Sequence, residues 1–237
     1  MRNGEPVKER IGIVLYGVGN VTSVARAVEK AGAVPVLVER PEDLTSVGSL
    51  ILPGVGAFGE ASLRMEESGM KDAVVKFAES GASVLGICLG MQLLFDSSEE
   101  SPGSRGLGLM KGGSFLLGAD ELRFGACDIR IRGKAGFKVP HTGWNEVRFK
   151  STWPLGGTGG GKYYFTHSYH VVPRDARVAA ATTFLGPGGE GAGPAIVSAV
   201  AEGNVLGVQF HPEKSAEEGL GLVRRFAEMA AEGGKLG

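Results

Sequence analysis

Gly86-Ile87-Cys88-Leu89-Gly90 is the stretch that decides the fold, because it places a cysteine between two glycines where one pattern gives way to another. The small, apolar run 82–85 before it is typical of a buried strand, and the run 91–95 after it is typical of the first turns of a helix. A strand, a tight turn and a helix in succession strain the backbone of the turn residue, and glycines two positions away leave room for that strain. We therefore expect the Cys88 thiol to stand above a sheet edge at a helix N-terminus, where the helix dipole favours a thiolate. A buried core cysteine is the alternative, and the paired glycines argue against it.

The chain before Cys88 alternates between strand and helix patterns. Apolar runs at 11–16, 34–38 and 49–52 predict buried strands. Asn20 is placed to cap a helix with one apolar face, and residues 70–80 predict another helix. Such alternation is typical of a parallel sheet that helices cover on both faces.

The second half of the chain has a different pattern. From about residue 114 to 210 it is rich in short alternating and β-branched runs, which favour antiparallel strands. Ser215 and Glu218 then have the spacing of a capping box at the start of a last helix. The sequence therefore predicts an α/β fold with an open, mostly parallel central sheet, helices on both faces and antiparallel strand additions in the second half.

Length and charge limit the classes of function. The 237 residues, 43% of them hydrophobic, suffice for one large domain, which we expect over residues 11–231. A polar extension over 1–10 precedes it and a tail over 232–237 follows. Because 25 basic residues nearly balance 26 acidic ones, there is no electrostatic reason to expect nucleic acid or an anionic membrane as a partner.

Cysteine use and small motifs argue against several kinds of site. Two cysteines make no disulfide framework, and the polar N-terminus does not resemble a signal peptide, so a reducing cytoplasm is the expected location. The sequence contains no Cys-x-x-Cys pair, so we expect no metal. The cluster Gly17-Val18-Gly19-Asn20 lacks the third glycine of a dinucleotide loop, so we expect no cofactor.

His211 is the strongest candidate among four histidines to serve a cysteine nucleophile. Pro212 restricts it to an extended conformation, in which residues two apart face the same way, so His211 and Glu213 should project together. The carboxylate can then hydrogen-bond one ring nitrogen while the other faces Cys88. The pattern predicts a Cys88, His211 and Glu213 triad, although His-Pro-Glu taken alone also suits a surface turn.

A glycine-punctuated loop, Leu52-Pro53-Gly54-Val55-Gly56, leaves one of the predicted strands. Ligands of open parallel sheets bind at the carboxyl ends of the strands, so this loop and the Cys88 turn should share one cleft. A tetrahedral intermediate on a thiol needs two hydrogen-bond donors, and the amides of Leu89 and of Val55 or Gly56 could supply them. The alternative is a plain strand-to-helix connection.

These motifs resemble those of the class I, triad-type glutamine amidotransferases. Gly-Ile-Cys-Leu-Gly-Met-Gln at 86–92 and Gln-Phe-His-Pro-Glu at 209–213 are similar to the nucleophile and histidine-glutamate motifs of that family, and residues 53–56 to its oxyanion loop. Within the family the chain resembles the glutaminase subunits of imidazole glycerol phosphate synthases, chiefly through Pro-His-Thr-Gly-Trp-Asn at 140–145 and His-Pro-Glu-Lys-Ser at 211–215.

The resemblance implies a reaction. Cys88 attacks the side-chain carboxamide of L-glutamine, His211 protonates the departing ammonia and activates the water that hydrolyses the thioester, and Glu213 orients the imidazole. It implies that the oxyanion and the glutamine are held by Leu89, Val55, Gly56, Gln92, Ser168 and Tyr169.

The resemblance also implies a partner. This is a cyclase subunit with a (β/α)8 barrel, forming a heterodimer in which ammonia reaches a bound ribulosyl intermediate and yields imidazole glycerol phosphate and an aminoimidazole carboxamide ribotide in histidine biosynthesis. The implied interface residues are Asn20, Trp144, Tyr164 and Lys214. Taken singly, these also suit a helix cap, a core tryptophan, a strand tyrosine and a solvated lysine.

Two other functions stay open from the sequence. The chain could supply ammonia to a different synthase, such as one for pyridoxal phosphate, GMP or anthranilate. It could also be a non-catalytic regulatory relative, although such a relative would be expected to lack a triad member. The chain departs from the family in its polar extension and in two glycine-rich tracts, 156–161 and 186–193, for which the sequence predicts no role.

Overall fold

The computed structural model describes residues 8–17, 19–117, 122–124, 127–129, 139–151, 153–156, 160–186 and 194–233. Within these ranges the α-helices are α1 (Val21–Lys30), α2 (Phe58–Glu67), α3 (Met70–Glu79), α4 (Leu89–Leu93) and α5 (Ala216–Ala231). The strands are β1 (Arg10–Val14), β2 (Val34–Val38), β3 (Ser49–Leu52), β4 (Ser83–Ile87), β5 (Ser97–Ser98), β6 (Gly112–Leu116), β7 (Leu122–Phe124), β8 (Cys127–Ile129), β9 (His141–Phe149), β10 (Gly161–His167), β11 (Tyr169–Pro173), β12 (Ala179–Phe184), β13 (Ala195–Glu202) and β14 (Val205–Val208). Short 3-10 helices cover Pro41–Ser46, Ala176–Val178 and Pro212–Lys214. Most of the polar extension, of the tail and of the tract 186–193 lies outside the described residues, and so does half of the tract 156–161.

In the part of the chain that the structure describes, the central sheet has nine strands in the order β10-β9-β12-β13-β14-β4-β3-β1-β2. Strands β2, β1, β3, β4 and β14 pair in parallel. From β14 onward, β13, β12, β9 and β10 are added antiparallel. The predicted α/β class, with antiparallel additions from the second half of the chain, is confirmed.

Helices cover both faces of this sheet, as the alternation predicts. Every residue of β3 and β4 is buried, because strands in the middle of such a sheet touch a helix layer on each side. On one face α1 and α5 bury Val24, Val28, Leu222 and Phe226. On the other, α2 and α3 bury Phe58, Met65, Met70 and Val74. Within the part of the chain that the structure describes, each helix is too short or too polar to span a lipid bilayer.

The carboxyl ends of β3, β4 and β14 lie side by side in the sheet. The loop after β3 is 53–57, β4 is followed directly by Cys88, and β14 is followed by the segment that holds His211. Three segments far apart in sequence therefore meet at one edge, where parallel sheets bind their ligands.

The capping box predicted for α5 is wrong. Ser215 does precede the helix, but its side chain makes no cap hydrogen bond. Its hydroxyl instead donates to the His211 carbonyl (2.6 Å) and accepts from the Tyr164 amide (3.0 Å). Ser215 thus joins the His211 segment to β10.

The end of the strand-rich region differs slightly from its pattern. Strand β14 ends at Val208, short of residue 210, and Ser168 separates β10 from β11. The prediction that residues 211–213 continue in an extended conformation is wrong beyond His211, because Pro212 opens a 3-10 helix. Proline suits the first position of a helix, where its missing amide hydrogen costs nothing.

Candidate active site

Cys88 lies in the turn between β4 and α4, in a backbone conformation that only glycine adopts easily. Its φ is 54° and its ψ is −106°, and its amide donates to the Val208 carbonyl at 2.8 Å. A Cβ on Gly86 would lie 2.6 Å from the Gly90 carbonyl, so the turn needs glycine there. A Cβ on Gly90 would lie 1.9 Å from the Leu52 carbonyl, so the second glycine lets α4 approach β3.

The Cys88 side chain is only 5% exposed, because β10 passes over it. Its thiol lies 3.9 Å from the Thr166 carbonyl, to which it can donate, and it accepts from Gln209 Nε2 at 3.6 Å. Cys88 thus lies at the sheet edge and at the start of α4, where it was expected, but its side chain is buried there. Cys88 is reached through a cavity.

His211 and Glu213 lie together against Cys88. His211 Nδ1 is 2.8 Å from Glu213 Oε1, and both side chains are 2% exposed. Burial acts to lower the pKa of His211, but its interactions with Cys88 and then with Glu213 outweigh it and raise the pKa to about 9. At neutral pH this favours an imidazolium whose Nδ1–H donates to the Glu213 carboxylate, while Nε2 makes no hydrogen bond within the described residues. The structure thus brings the three predicted triad residues together.

A cavity of about 290 Å³ opens beside Cys88. Its volume is at the small end of the range for ligand sites and suits a molecule the size of an amino acid. The cavity is lined by Val55, Gly56, Cys88, Leu89, Gln92, Glu100, Thr166, His167, Ser168 and Tyr169. All six residues predicted to hold the oxyanion and the substrate are among them.

The 53–56 loop is held against the Cys88 turn. A Cβ on Gly54 would lie 2.6 Å from Leu89 Cβ, and Gly56 has a φ of +108°, so both positions favour glycine. The Tyr16 hydroxyl donates to the Pro53 carbonyl. Burial, helped by the charge of Cys88, raises the pKa of Tyr16, so the phenol stays neutral and keeps its hydrogen. Tyr16 was not among the predicted residues, because it follows a strand pattern with no sign of a distant partner.

Glu100, Thr166 and His167 also line the cavity and were not predicted to. Glu100 Oε2 accepts a hydrogen bond from the Phe58 amide at 2.7 Å, in the first turn of α2. That contact orients a carboxylate toward the cavity from 12 positions beyond Cys88 in the chain. Nothing in the sequence signals it, since an acidic pair in a polar segment is typical of a solvated surface.

Three of the four predicted interface residues form one exposed group, which we call the aromatic patch: Trp144, Tyr164 and Lys214. Trp144 is 55% exposed, so it is not a core tryptophan. It pairs with Tyr164 across β9 and β10, their ring centroids 6.2 Å apart, and Lys214 Nζ lies 5.8 Å from the Tyr164 ring centroid. Asn20 caps α1 by accepting from the Ser23 amide at 3.4 Å.

Comparison with known proteins identifies the family of the chain. Residues 14–229 match the family model described as "Glutamine amidotransferase class-I". The chain is 39% identical over 229 residues to the imidazole glycerol phosphate synthase subunit HisH of Moorella thermoacetica, covering 96% of this chain and 98% of that one. It is 38% identical to the HisH subunit of Bacillus subtilis, covering 94% and 97%.

Solved structures share the fold. A crystal structure described as a glutamine amidotransferase superposes with a TM-score of 0.67 at 23% identity, covering 93% of this chain and 98% of that one. The structure of PurLQS from Thermotoga maritima superposes with a TM-score of 0.66 at 20% identity, covering 95% and 98%. By its sequence, this chain belongs to the class I glutamine amidotransferase family, among the imidazole glycerol phosphate synthase HisH subunits.

Proposed function

We propose that the chain hydrolyses L-glutamine to glutamate and ammonia, as the glutaminase subunit of an imidazole glycerol phosphate synthase in histidine biosynthesis. The observation that carries the proposal is the buried Cys88, His211 and Glu213 arrangement beside a cavity of about 290 Å³. Curated relatives of that function at 38–39% identity over nearly the whole chain support it. The free thiol suits the reducing cytoplasm, where we place the protein.

In the first half-reaction the Cys88 sulfur attacks the carboxamide carbon of glutamine and a tetrahedral intermediate forms. The amides of Leu89 and of Val55 or Gly56 stabilise its oxyanion. The C–N bond then breaks as His211 gives its Nε2 proton to the departing nitrogen, which leaves as ammonia. A glutamyl thioester remains on Cys88.

In the second half-reaction water attacks the thioester. His211, now neutral, takes a proton from that water, and the C–S bond breaks to release glutamate. Glu213 holds Nδ1 of His211 throughout, so the other ring nitrogen always faces the reacting atoms. The raised pKa of His211 suits its first role, because the ring is protonated when glutamine arrives.

Substrate recognition follows from the walls of the cavity. Glutamine carries an α-ammonium group, and the Glu100 carboxylate in the wall complements that charge. Gln92 Nε2 donates to the Tyr169 carbonyl (3.1 Å) and to Gln209 Oε1 (3.3 Å), so its own Oε1 is the atom that can accept from a ligand. Ser168 and Tyr169 also line the cavity.

The product requires a docked acceptor. Ammonia released into water near neutral pH is protonated and loses its nucleophilicity, so a synthase must receive it directly. We place a cyclase with a (β/α)8 barrel on the aromatic patch and Asn20, forming a heterodimer. Lys214 can then pair with a carboxylate of the cyclase.

Trp144→Ala should weaken that complex by about tenfold or more, because exposed tryptophans are frequent hot spots of interfaces. Since Trp144 is exposed, the free energy of unfolding should stay nearly unchanged. Calorimetric titration of the chain with cyclase measures the affinity. Leu63→Ala is the matched control, as Leu63 is equally exposed on α2. Equal affinity for both variants would contradict this placement of the interface.

Cys88→Ala tests the reaction itself. With cyclase and its ligand present, the wild-type chain should release glutamate from glutamine, and Cys88→Ala should release none, because the sulfur that forms the thioester has been removed. Coupled measurement of glutamate gives the rate, and calorimetry checks that the variant still binds glutamine. Glutamate release by the variant, or none by the wild type, would overturn the proposal.

A further inference from the structure

We propose that His141 and His167 are positioning residues, a neutral pair that holds the Tyr169 carbonyl in the wall of the glutamine cavity. The mechanism above gives neither of them a step, and the proposal rests on the glutaminase function. We call them the histidine pair.

The histidine pair joins two neighbouring strands at the edge of the cavity. His167 ends β10, is 6% exposed and lines the cavity, and His141 lies opposite it at the start of β9. His141 Nδ1 is 3.0 Å from His167 Nε2. The remaining nitrogen of His167, Nδ1, is 2.8 Å from the Tyr169 carbonyl. One ring therefore contacts both the partner histidine and the cavity wall.

The surroundings fix which nitrogens carry hydrogen. Asn145 Oδ1 accepts from the Glu146 amide at 2.8 Å and Asn145 Nδ2 donates to the Phe184 carbonyl at 3.0 Å, so the orientation of this amide is determined. The same Nδ2 lies 3.2 Å from His141 Nε2 and donates to it. His141 therefore carries its hydrogen on Nδ1 and donates to His167 Nε2. His167 must then carry its own on Nδ1, which donates to the Tyr169 carbonyl.

Burial keeps both rings neutral. It lowers the pKa of His141 to about 4, and it lowers the pKa of His167 to about 3 with further contributions from the neighbouring His141, His170 and His211. A second proton on His167 would make Nε2 a donor facing another donor. Near neutral pH the histidine pair thus has one charge state and one tautomer.

The Tyr169 carbonyl connects the histidine pair to the substrate site. It accepts from His167 Nδ1 and from Gln92 Nε2, so it ties the β10–β11 junction to α4. Gln92 also contacts Gln209, which donates to the Cys88 sulfur. Removing the His167 donor leaves one of the two bonds on this carbonyl unmade and frees the 168–169 wall. Glutamine binding should suffer, while the triad keeps its contacts.

Two substitutions of His167 distinguish its hydrogen bond to Tyr169 from a role in packing alone. In His167→Asn the side-chain amide nitrogen can take the place of Nδ1 and keep the bond to Tyr169. In His167→Gln the longer amide reaches the Nε2 position and keeps the contact with His141 instead. Steady-state glutaminase kinetics of the complex with cyclase should show KM for glutamine raised about fivefold in His167→Gln, the loss of about one net hydrogen bond. Its kcat should change less than about twofold, and His167→Asn should recover most of the affinity.

His170→Asn is the matched control, since His170 is buried on β11 but does not line the cavity. Its KM should stay at the wild-type value. Equal KM for the two His167 variants, or a fall in kcat without a rise in KM, would overturn the proposal. An inactive wild-type complex would instead overturn the proposed function.

A measurement on the wild-type chain covers the case in which the variants fail to fold. Nitrogen chemical shifts of the imidazole rings distinguish the two neutral tautomers in solution. We expect both His141 and His167 to carry hydrogen on Nδ1 near neutral pH. Hydrogen on Nε2 of either ring, or a charged ring, would be incompatible with the histidine pair as described.

Discussion

His211 shows how one side chain can be protonated although it is almost fully buried. Burial alone would make it neutral, as it does for His167 and His170, whose pKa values fall to about 3 and 4. The pKa of His211 differs because its ring interacts with both a cysteine and a carboxylate. The neighbours of His211 in sequence do not explain its raised pKa by themselves, because Cys88 lies 123 positions away along the chain.

Glu213→Gln should therefore change the pH profile as well as the rate. The variant loses one of the two interactions that raise the pKa of His211, so the pKa falls below its value of about 9. Activity that depends on protonated His211 is lost as pH rises through this pKa, and the alkaline limb should move to lower pH. The kcat should fall by about a hundredfold or more. Glutaminase rates of the complex between pH 6 and 10 test this, and an unchanged alkaline limb would contradict it.

At the scale of elements, the β4–α4 turn depends on how closely α4 approaches β3. Gly90→Ala should destabilise the chain by at least about 3 kcal/mol, because the new Cβ would lie 1.9 Å from the Leu52 carbonyl, which is backbone and cannot move aside. Urea unfolding measures the loss. In Gly221→Ala, within α5, the added Cβ meets only the flexible end of Arg225 at 3.3 Å. That control should gain about 0.5–1 kcal/mol, and similar losses in both variants would count against the argument.

Elements were predictable where local pattern decides them. The strand, turn and helix around Cys88 follow from sequence, and so does Asn20 as the cap of α1. Ser215 was misjudged because a distant strand supplies its partner, the Tyr164 amide. Glu100 was missed because its place in the cavity depends on α2. Contacts between residues far apart in the chain leave no periodic pattern in the sequence from which they could be predicted. The roles of the triad residues stay predictions until the variants are measured.

At the scale of the whole molecule, buried neutral histidines should make stability fall in acid. The unfolded chain takes up protons as pH drops below about 6.5, whereas His141, His167 and His170 stay unprotonated in the folded chain until about pH 4, 3 and 4. His211 is already protonated in the folded chain, so its contribution offsets part of this loss. The free energy of unfolding should therefore drop by about 2–4 kcal/mol between pH 7.5 and 5. Urea unfolding at both values tests this. His170→Leu, which removes one of these groups, should show a smaller drop, and equal stability at both pH values would refute the idea.

The pairing of β9 with β10 sets Trp144 against Tyr164 and His141 against His167, three positions further along β10. At about 3.3 Å per residue, the aromatic patch and the cavity wall are about 10 Å apart on the same strand. A single residue inserted or deleted between them would turn one set of side chains to the opposite face. Relatives that vary in length should therefore do so outside residues 164–167, and an engineer who grafts this chain onto another synthase must keep that spacing intact.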